Sequence, residues 1–286
     1  MIDARRGMAS AGALLLAALA TAVLCACSPT RLNPSLPVRV PDAEIELRAM
    51  HRDPRPLPRP VVLMPGFFDV GVAMKWMEWR LRWALGPDAK IVTVALAGCQ
   101  SAACCRSAVF EALERALGPE AVPLAGDTIE VDVVGFSMGG LMARFAAMPL
   151  VEGVDPEAAQ PARRLNARRI YAISSPHQGA QKASPEAVSP LVRDMVADSA
   201  FLQRLDEDLP EADYELVCYA VLGDAMVGAA HAAPPGQVPY WVPARPFTLA
   251  HIQAHSDERI LADIARRLRE DAPLTLGPPA PLPNAY

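Results

Sequence analysis

The sequence has few histidines, no excess of positive charge and no pattern of metal ligands. With 27 basic and 32 acidic residues its formal net charge is −5, so nothing in the composition indicates a nucleic-acid partner. No spacing of cysteine and histidine matches a metal site, and no cofactor is implied. There is no internal repeat, and 286 residues that are 52% hydrophobic can bury one sizeable core. These properties predict one globular domain, without indicating its oligomeric state.

The two ends of the chain differ from its middle. Arg5 and Arg6 precede an apolar run, residues 9–26, which is short for a membrane-spanning helix and typical of a secretory signal. The 29 prolines concentrate at the ends and in loops. We therefore predict a signal peptide at 1–26, a linker at 27–37, a folded domain at 38–270 and a proline-rich tail at 271–286, and we expect the tail to be poorly ordered.

The end of the apolar run, Leu24-Cys25-Ala26-Cys27, resembles the lipobox of bacterial lipoproteins. The resemblance implies cleavage before Cys27 and a lipid on its thiol that attaches the protein to a membrane. Because Ser28 rather than aspartate follows, it also implies an exported protein at the outer membrane or facing the periplasm. Ordinary signal cleavage without a lipid, and an uncleaved anchor, are the alternatives.

Export permits disulfides among the remaining cysteines. Cys99 can close a small loop with either Cys104 or Cys105, and reduced, buried cysteines are nearly as compatible with the sequence. Cys218 lies in an apolar predicted strand, where a thiol packs as a small hydrophobic group.

One stretch has the residue types of a nucleophile. Ile129 to Val134 is rich in β-branched residues and predicts a buried strand. Gly135-Phe-Ser137-Met-Gly139 follows, and then apolar residues at helical spacing. A strand, Gly-x-Ser-x-Gly and a helix form a nucleophile elbow, whose glycines let strand and helix close around a strained serine. The bare motif also occurs by chance as a structural turn, so the prediction depends on this setting and on the rest of the site.

Strands and helices alternate through the chain. We predict a hairpin over 38–48, a strand from Pro60 into a glycine turn, and further strands at 90–96, 169–174 and 214–222. We predict helices over 72–85, 102–117, 184–209 and 256–268. Ser256 is the predicted N-cap of the last helix. This alternation predicts an α/β fold with a mostly parallel central sheet flanked by helices. The elbow resembles that of α/β-hydrolases, which implies this fold class. We expect residues 180–212 to form a small helical cap or lid.

A serine nucleophile needs a base that takes its proton and a carboxylate that orients the base. In α/β-hydrolases these residues follow the serine in the order Asp or Glu, then His. Beyond His51 the chain contains His177, His231, His251 and His255. A base in a loop near the last helix favours His251 or His255.

Two further stretches resemble the catalytic loops of bacterial lipases. Val221-Leu-Gly-Asp224-Ala-Met-Val227 is similar to their acid loop, and residues 251–260 are similar to their histidine loop. The resemblance, which spans about residues 60–268, implies Asp224 as the acid and favours His251 over His255. The alternatives are that Asp224 is a surface turn residue and that His255 is the base. Whichever of the two histidines is not the base would be exposed to solvent or would contact the site residues from outside.

The turn Ser175-Pro-His177-Gln-Gly is similar to the Thr-Pro-His-x-Gly turn of lipases and of the GPI inositol-deacylase-like group. The resemblance implies that His177 lies near the site but outside the triad.

A negatively charged oxygen that forms during the reaction needs two fixed N–H donors. We expect the backbone amides of Met138, which directly follows the nucleophile, and of Phe67, which follows a glycine as in the His-Gly-x motif of lipases, to be these donors. Here Pro65 replaces that histidine.

These features predict an ester hydrolase of the lipase or esterase type, with Ser137, Asp224 and His251 as triad and Phe67 and Met138 as oxyanion hole. Its substrate would be an ester or a lipid. Two other classes fit the same sequence: an acyltransferase or thioesterase with the same triad, and a catalytically silent lipoprotein of hydrolase fold that binds a partner.

Overall fold

The computed structural model describes residues 32–67, 69, 72–149 and 163–284. The predicted signal peptide and Cys27 lie outside these residues, so the domain boundaries and the lipid anchor stay predictions. Within the described ranges, no helix has the length and apolar character that crossing a membrane demands.

Six strands form the central sheet, and every ladder in it is parallel. The strands of the structure are β1 (Val61–Met64), β2 (Ile91–Thr93), β3 (Gly126–Asp127), β4 (Val131–Phe136), β5 (Arg163–Arg164), β6 (Ala167–Ile173), β7 (Glu215–Val221) and β8 (Tyr240–Val242). The sheet order is β2-β1-β4-β6-β7-β8, and β3 pairs with β5 in a separate two-stranded sheet. The predicted fold class is thus confirmed. Because the strands are parallel, all their carboxyl ends meet at one edge.

Helices cover both faces of the sheet. They are α1 (Val40–Arg52), α2 (Val72–Leu85), α3 (Ala102–Leu117), α4 (Met138–Ala147), α5 (Pro190–Asp194), α6 (Ala200–Asp208), α7 (Ala250–Ala254) and α8 (Glu258–Leu268). Alternate residues of β1 enter opposite layers: Val61 and Leu63 pack with α1, α2 and α8, whereas Val62 and Met64 pack with α3 and α4. A strand buried on both faces is what a parallel sheet between helices requires.

The predicted hairpin over 38–48 is wrong, because this segment forms the helix α1. Proline is tolerated in the first turn of a helix, where its missing N–H has no acceptor, and Pro41 lies there beside Asp42. The residues Ala43, Leu47 and Met50 recur at helical spacing and are all buried. The alternation of apolar and polar residues in this segment therefore does not produce strands. The segment is a helix because burial of its one apolar face stabilises that structure.

Two other boundaries differ from the sequence prediction. The last helix begins at Glu258, and its N-cap is Asp257, whose carboxylate accepts from the Arg259 amide, whereas the Ser256 hydroxyl donates to the Gln253 carbonyl. The segment 184–209 is not one helix but α5 and α6 joined by turns.

The cysteine alternatives resolve into one disulfide between Cys99 and Cys104, directly before and within the first turn of α3. Cys105 and Cys218 are free and buried. Burial raises the pKa of Cys105 to about 11 and that of Cys218 to about 12. Both thiols therefore stay protonated at neutral pH and serve as packing groups.

The tail is docked over residues 272–282, contrary to the expectation of poor order. The amides of Leu274 and Thr275 donate to the buried carboxylate of Asp263 on α8. The side chains of Tyr240 and Trp241 on β8 donate to tail carbonyls. Proline-rich chain without periodicity can still be ordered when its backbone groups find partners on the domain surface.

Candidate active site

Ser137 lies at the carboxyl end of β4, between that strand and α4. Its backbone angles, φ 53° and ψ −123°, fall in a region that residues with side chains rarely adopt. A Cβ on Gly135 would lie 2.5 Å from the Gly140 amide nitrogen, so glycine is required for the strand and helix to close so tightly. The strand, the tight turn at Ser137 and the helix have the local geometry that the sequence predicts.

Gly139 brings α4 against the end of β1. A Cβ at this position would lie 2.2 Å from the Met64 carbonyl oxygen. The approach places the turn after β1 beside the serine: a Cβ on Gly66 would lie 3.2 Å from the Ser137 Cβ. The two residues named from sequence as oxyanion donors, Phe67 and Met138, therefore belong to elements that flank Ser137 on two sides.

Three residues far apart in the sequence meet in a hydrogen-bonded line. The Nε2 atom of His251 lies 3.1 Å from the Ser137 Oγ, and its Nδ1 atom lies 2.8 Å from an Asp224 carboxylate oxygen. A carboxylate only accepts hydrogen bonds, so Nδ1 carries the proton and Nε2 accepts from the serine hydroxyl. This is the tautomer that a general base for Ser137 needs.

Asp224 is fixed by the loop that follows β7. Its carboxylate is almost fully buried and accepts from the amides of Met226 and Val227 at 2.9 and 3.0 Å. Burial by itself disfavours the charged form, but the hydrogen bonds from His251 and from these amides outweigh it and lower the pKa of Asp224. Asp224 is thus a buried, charged partner of the imidazole rather than a surface turn residue.

The structure brings His251 and not His255 to the serine. His251 lies on α7, with its ring centroid 5.1 Å from that of Phe136. The ring centroid of His255, four residues later, lies 5.3 Å from that of Phe136 and 6.1 Å from that of Trp76. Burial lowers the pKa of His255.

The other two histidines support the surrounding loops. His231 has its Nδ1 atom 2.9 Å from the Gly179 carbonyl. His177 is fully buried, and its Nδ1 accepts from the guanidinium of Arg144 on α4 at 3.0 Å. The same guanidinium donates to the Leu205 carbonyl and to Asp206 at the end of the cap segment, residues 180–212.

Arg144 is the residue of this region that sequence reasoning missed. It is a fully buried cation in a helix whose other residues are apolar or small. A buried arginine requires partners that satisfy several donors at once. The signal available in the sequence was one charged residue in an apolar helix directly after the elbow, but its partners lie 33 and 62 residues further on.

A cavity of about 710 Å³ opens in front of Ser137 and His251. Its wall is mostly apolar and comes from several loops and helices, including Trp76, Phe136, Ala180, Val192, Met195 and Val227. At the rim, Val72, Met226, Leu249 and Ile252 are strongly exposed. Among the described residues, no group of three or more histidine, cysteine, aspartate or glutamate side chains could hold a metal ion. The site can therefore accommodate a sizeable apolar molecule next to the Ser137 hydroxyl.

No protein-family model matches the chain, and no curated protein matches its sequence. Among solved structures it is similar to the product of the gene lin2722 from Listeria innocua, with 16% identity over 75% of this chain and 95% of that chain and a TM-score of 0.48. It is also similar to the Bacillus licheniformis lipase BlEst2. In the propeptide form the identity is 13% over 80% of this chain and 54% of that chain, with a TM-score of 0.48. In the mature form the identity is 13% over 78% of this chain and 94% of that chain, with a TM-score of 0.44.

Proposed function

We propose that this protein is a serine hydrolase that cleaves carboxylic esters. The observation that carries the proposal is the continuous line from the Ser137 hydroxyl through His251 to the buried Asp224 carboxylate, which opens onto an apolar cavity. Each member of this line follows a different strand of the sheet: Ser137 follows β4, Asp224 follows β7 and His251 follows β8. A hydroxyl, a correctly protonated imidazole and a charged acid are the groups that acyl transfer to serine requires.

In the proposed reaction the Ser137 Oγ attacks the ester carbonyl while its proton passes to the Nε2 of His251. Asp224 keeps the imidazole in this orientation and stabilises the imidazolium that forms. The tetrahedral intermediate collapses, and the imidazolium gives its proton to the leaving alcohol. Water, deprotonated by the same imidazole, then hydrolyses the acyl-enzyme and restores the free serine.

The backbone amides of Met138 and Phe67 are the proposed oxyanion donors. Met138 is the first residue of α4, where amides have no acceptor within the helix and the helix dipole is positive. The turn of Gly66 and Phe67 lies against Ser137, as the close approach of Gly66 shows. Together the two amides would face the position where negative charge develops.

The lining of the cavity favours an acyl chain as the part of the substrate that it holds. Burial of apolar surface provides affinity in proportion to area, and the wall offers few groups for a small polar acid. The exposed Val72, Leu249 and Ile252 extend the apolar surface to the rim. The cap segment supplies part of the wall, so we propose that it acts as a lid at a lipid surface; rates that do not change above the critical micelle concentration of the substrate would contradict this role.

Labelling with a fluorophosphonate and hydrolysis of p-nitrophenyl esters test the proposal directly. We expect the wild type to label and to hydrolyse medium-chain esters, and S137A to do neither while its thermal unfolding is unchanged. A folded wild-type protein that does not label at Ser137 would instead indicate a catalytically silent binding protein.

The variant D224N tests the role of the acid within the line. Asparagine can donate a hydrogen bond to Nδ1, which would move the imidazole proton to Nε2 and leave no acceptor for the serine hydroxyl. We expect kcat to fall by a factor on the order of 10⁴. A loss of less than about tenfold, with the protein still folded, would exclude Asp224 as the partner of the base.

We further propose that the protein is exported and attached to a membrane through a lipid on Cys27. Support for this comes from the apolar run and the sequence Leu24-Cys25-Ala26-Cys27. Metabolic labelling with a radioactive fatty acid should mark the wild type and not the variant C27S, and C27S should leave the membrane fraction. Equal labelling of both proteins would rule out Cys27 as the attachment site.

A further inference from the structure

His255 is a buried polar side chain in the wall of the apolar cavity that the proposed reaction does not use. It is 9% exposed, and its ring packs between the aromatic rings of Phe136 and Trp76. Within the described part of the chain, its Nδ1 atom is sealed from solvent and has no hydrogen-bond partner at accepted geometry. Burying such a group without a partner costs about 1–3 kcal/mol, which an aliphatic residue at the same place would avoid.

The protonation state of this imidazole follows from its surroundings. Burial lowers its pKa, opposed by the Ile252 carbonyl and by the charge of Asp69, so the ring is neutral at neutral pH. In a neutral imidazole one ring nitrogen carries the proton and the other accepts a hydrogen bond. His255 lines the cavity and its Nδ1 atom is sealed, so Nε2 is the ring nitrogen that can meet a ligand there, and it is an acceptor when the proton is on Nδ1.

The other ionisable and hydroxyl side chains that line the cavity are either already engaged or exposed. The carboxylate of Asp69 accepts from the amides of Ala73 and Met74 at the start of α2. Lys182 is exposed at the rim. Ser137 and His251 belong to the hydrogen-bonded line. Among the described lining residues, His255 thus offers a ring nitrogen in the wall that the hydrogen-bonded line of Ser137, His251 and Asp224 does not use.

We propose that His255 is a specificity-determining residue whose Nε2 accepts a hydrogen bond from a hydroxyl on the acyl chain of the substrate. The inference rests on the proposed ester hydrolysis and adds the substrate class, which is esters of hydroxylated acyl chains. A site that places a buried acceptor opposite a substrate hydroxyl discriminates against the analogue without it, because the acceptor is then left unpaired.

Kinetics on paired esters test the proposal. The substrates are p-nitrophenyl esters of one medium-chain acid, either unsubstituted or carrying a hydroxyl at successive chain positions. We expect the wild type to prefer one hydroxylated isomer by about threefold to tenfold in kcat/KM, the range for one neutral hydrogen bond. In H255L this preference should disappear while the unsubstituted ester is still hydrolysed. In H255Q, whose amide reaches the same region of the cavity, part of the preference should return.

M195L is the matched control, because it alters the shape of the same wall without removing a polar atom, and it should keep the wild-type preference. The proposal is overturned if the wild type prefers no hydroxylated isomer, if H255L keeps the preference, or if H255L loses activity on the unsubstituted ester as well.

Binding to S137A separates this inference from the proposed reaction. Calorimetry with the intact esters should show tighter binding of the preferred hydroxylated isomer to S137A, and the ¹⁵N resonance of the His255 Nε2 should shift only with that isomer. If these signals are present but the wild type hydrolyses no ester, the proposed reaction fails and the subsite stands. If the wild type hydrolyses esters but S137A binds both isomers equally, the subsite fails and the reaction stands.

Discussion

His177 shows how one buried contact can make stability depend on pH. Its Nδ1 accepts from the Arg144 guanidinium, and the ring is fully removed from solvent. Burial, reinforced by the adjacent cation, holds the pKa of His177 well below 6.5. In the unfolded chain the same imidazole binds a proton below about pH 6.5, so the unfolded state gains protons there that the folded state does not. This contribution to stability is complete above pH 6.5 and is lost as the pH falls.

The variant H177N tests this at the residue scale. The Oδ1 atom of asparagine can stand near the place of Nδ1 and accept from Arg144, but it does not titrate. We expect the free energy of unfolding of the wild type to fall more steeply than that of H177N below pH 6.5, by up to about 1.4 kcal/mol per pH unit. Urea unfolding at several pH values measures both slopes. Carboxylates that both proteins share cancel in the comparison.

H51N is the control for this experiment, because it makes the same change at an exposed histidine of α1. Parallel curves for H177N and the wild type would show that His177 is not the titrating group. Loss of His177 should weaken the link between α4 and the Ser175–Gly179 turn, which lines the cavity through Pro176.

At the scale of the element, α1 shows why an alternating sequence does not suffice to define a strand. The prolines and charges of 38–48 are compatible with a hairpin, yet the segment buries one helical face against the core. Ion pairs from Glu44 to Arg80 and from Glu46 to Arg266 then connect the polar side of α1 to α2 and α8. The choice depends on partners that are distant in sequence, so a local pattern cannot make it.

Two alanine variants of α1 distinguish the buried face from the exposed face. L47A removes a fully buried side chain and should destabilise the protein by about 2–4 kcal/mol. I45A removes a side chain that is 61% exposed and should cost less than about 0.5 kcal/mol. Chemical denaturation of both variants measures the difference. Equal losses would contradict the helical face described for α1.

At the scale of the whole molecule, the docked tail ties the end of the chain to α8 and β8. The buried carboxylate of Asp263 receives the Tyr219 hydroxyl, the Arg267 guanidinium and two tail amides. The tail also bonds Ser35 near the start of the described chain, through the amide of Leu276 and the carbonyl of Pro278. The two ends of the described chain therefore stabilise each other's position.

A truncation after Asp271 should leave Asp263 with a buried, unsatisfied oxygen. We expect a loss of about 1–3 kcal/mol and a melting temperature lower by several degrees. Because no tail residue that the structure describes lines the cavity, kcat at low temperature should be unchanged. A shorter truncation after Pro283 keeps Leu282 and the tail hydrogen bonds, and should melt like the wild type. Identical melting of both truncations would show that the tail does not contribute.

Much of the fold and the candidate site follows from the sequence. The alternation of apolar strands and helices is a local pattern with its own period, and it predicted the parallel sheet. The glycines around Ser137 mark a turn that few other residues can form. The order of Ser137, Asp224 and a late histidine, together with the resemblance to lipases, indicated residues that the structure brings together.

Only the tertiary structure decided the rest. His251 and His255 lie one helical turn apart, and the orientation of α7 against Phe136 determines which ring reaches the serine. In the same way, Cys99 has two adjacent candidate partners, and the start of α3 presents Cys104. A local sequence pattern indicates which residues of a short segment can be buried and where the chain can turn. Contacts between distant segments depend on the packing of the whole chain, and that packing exists only after the chain has folded.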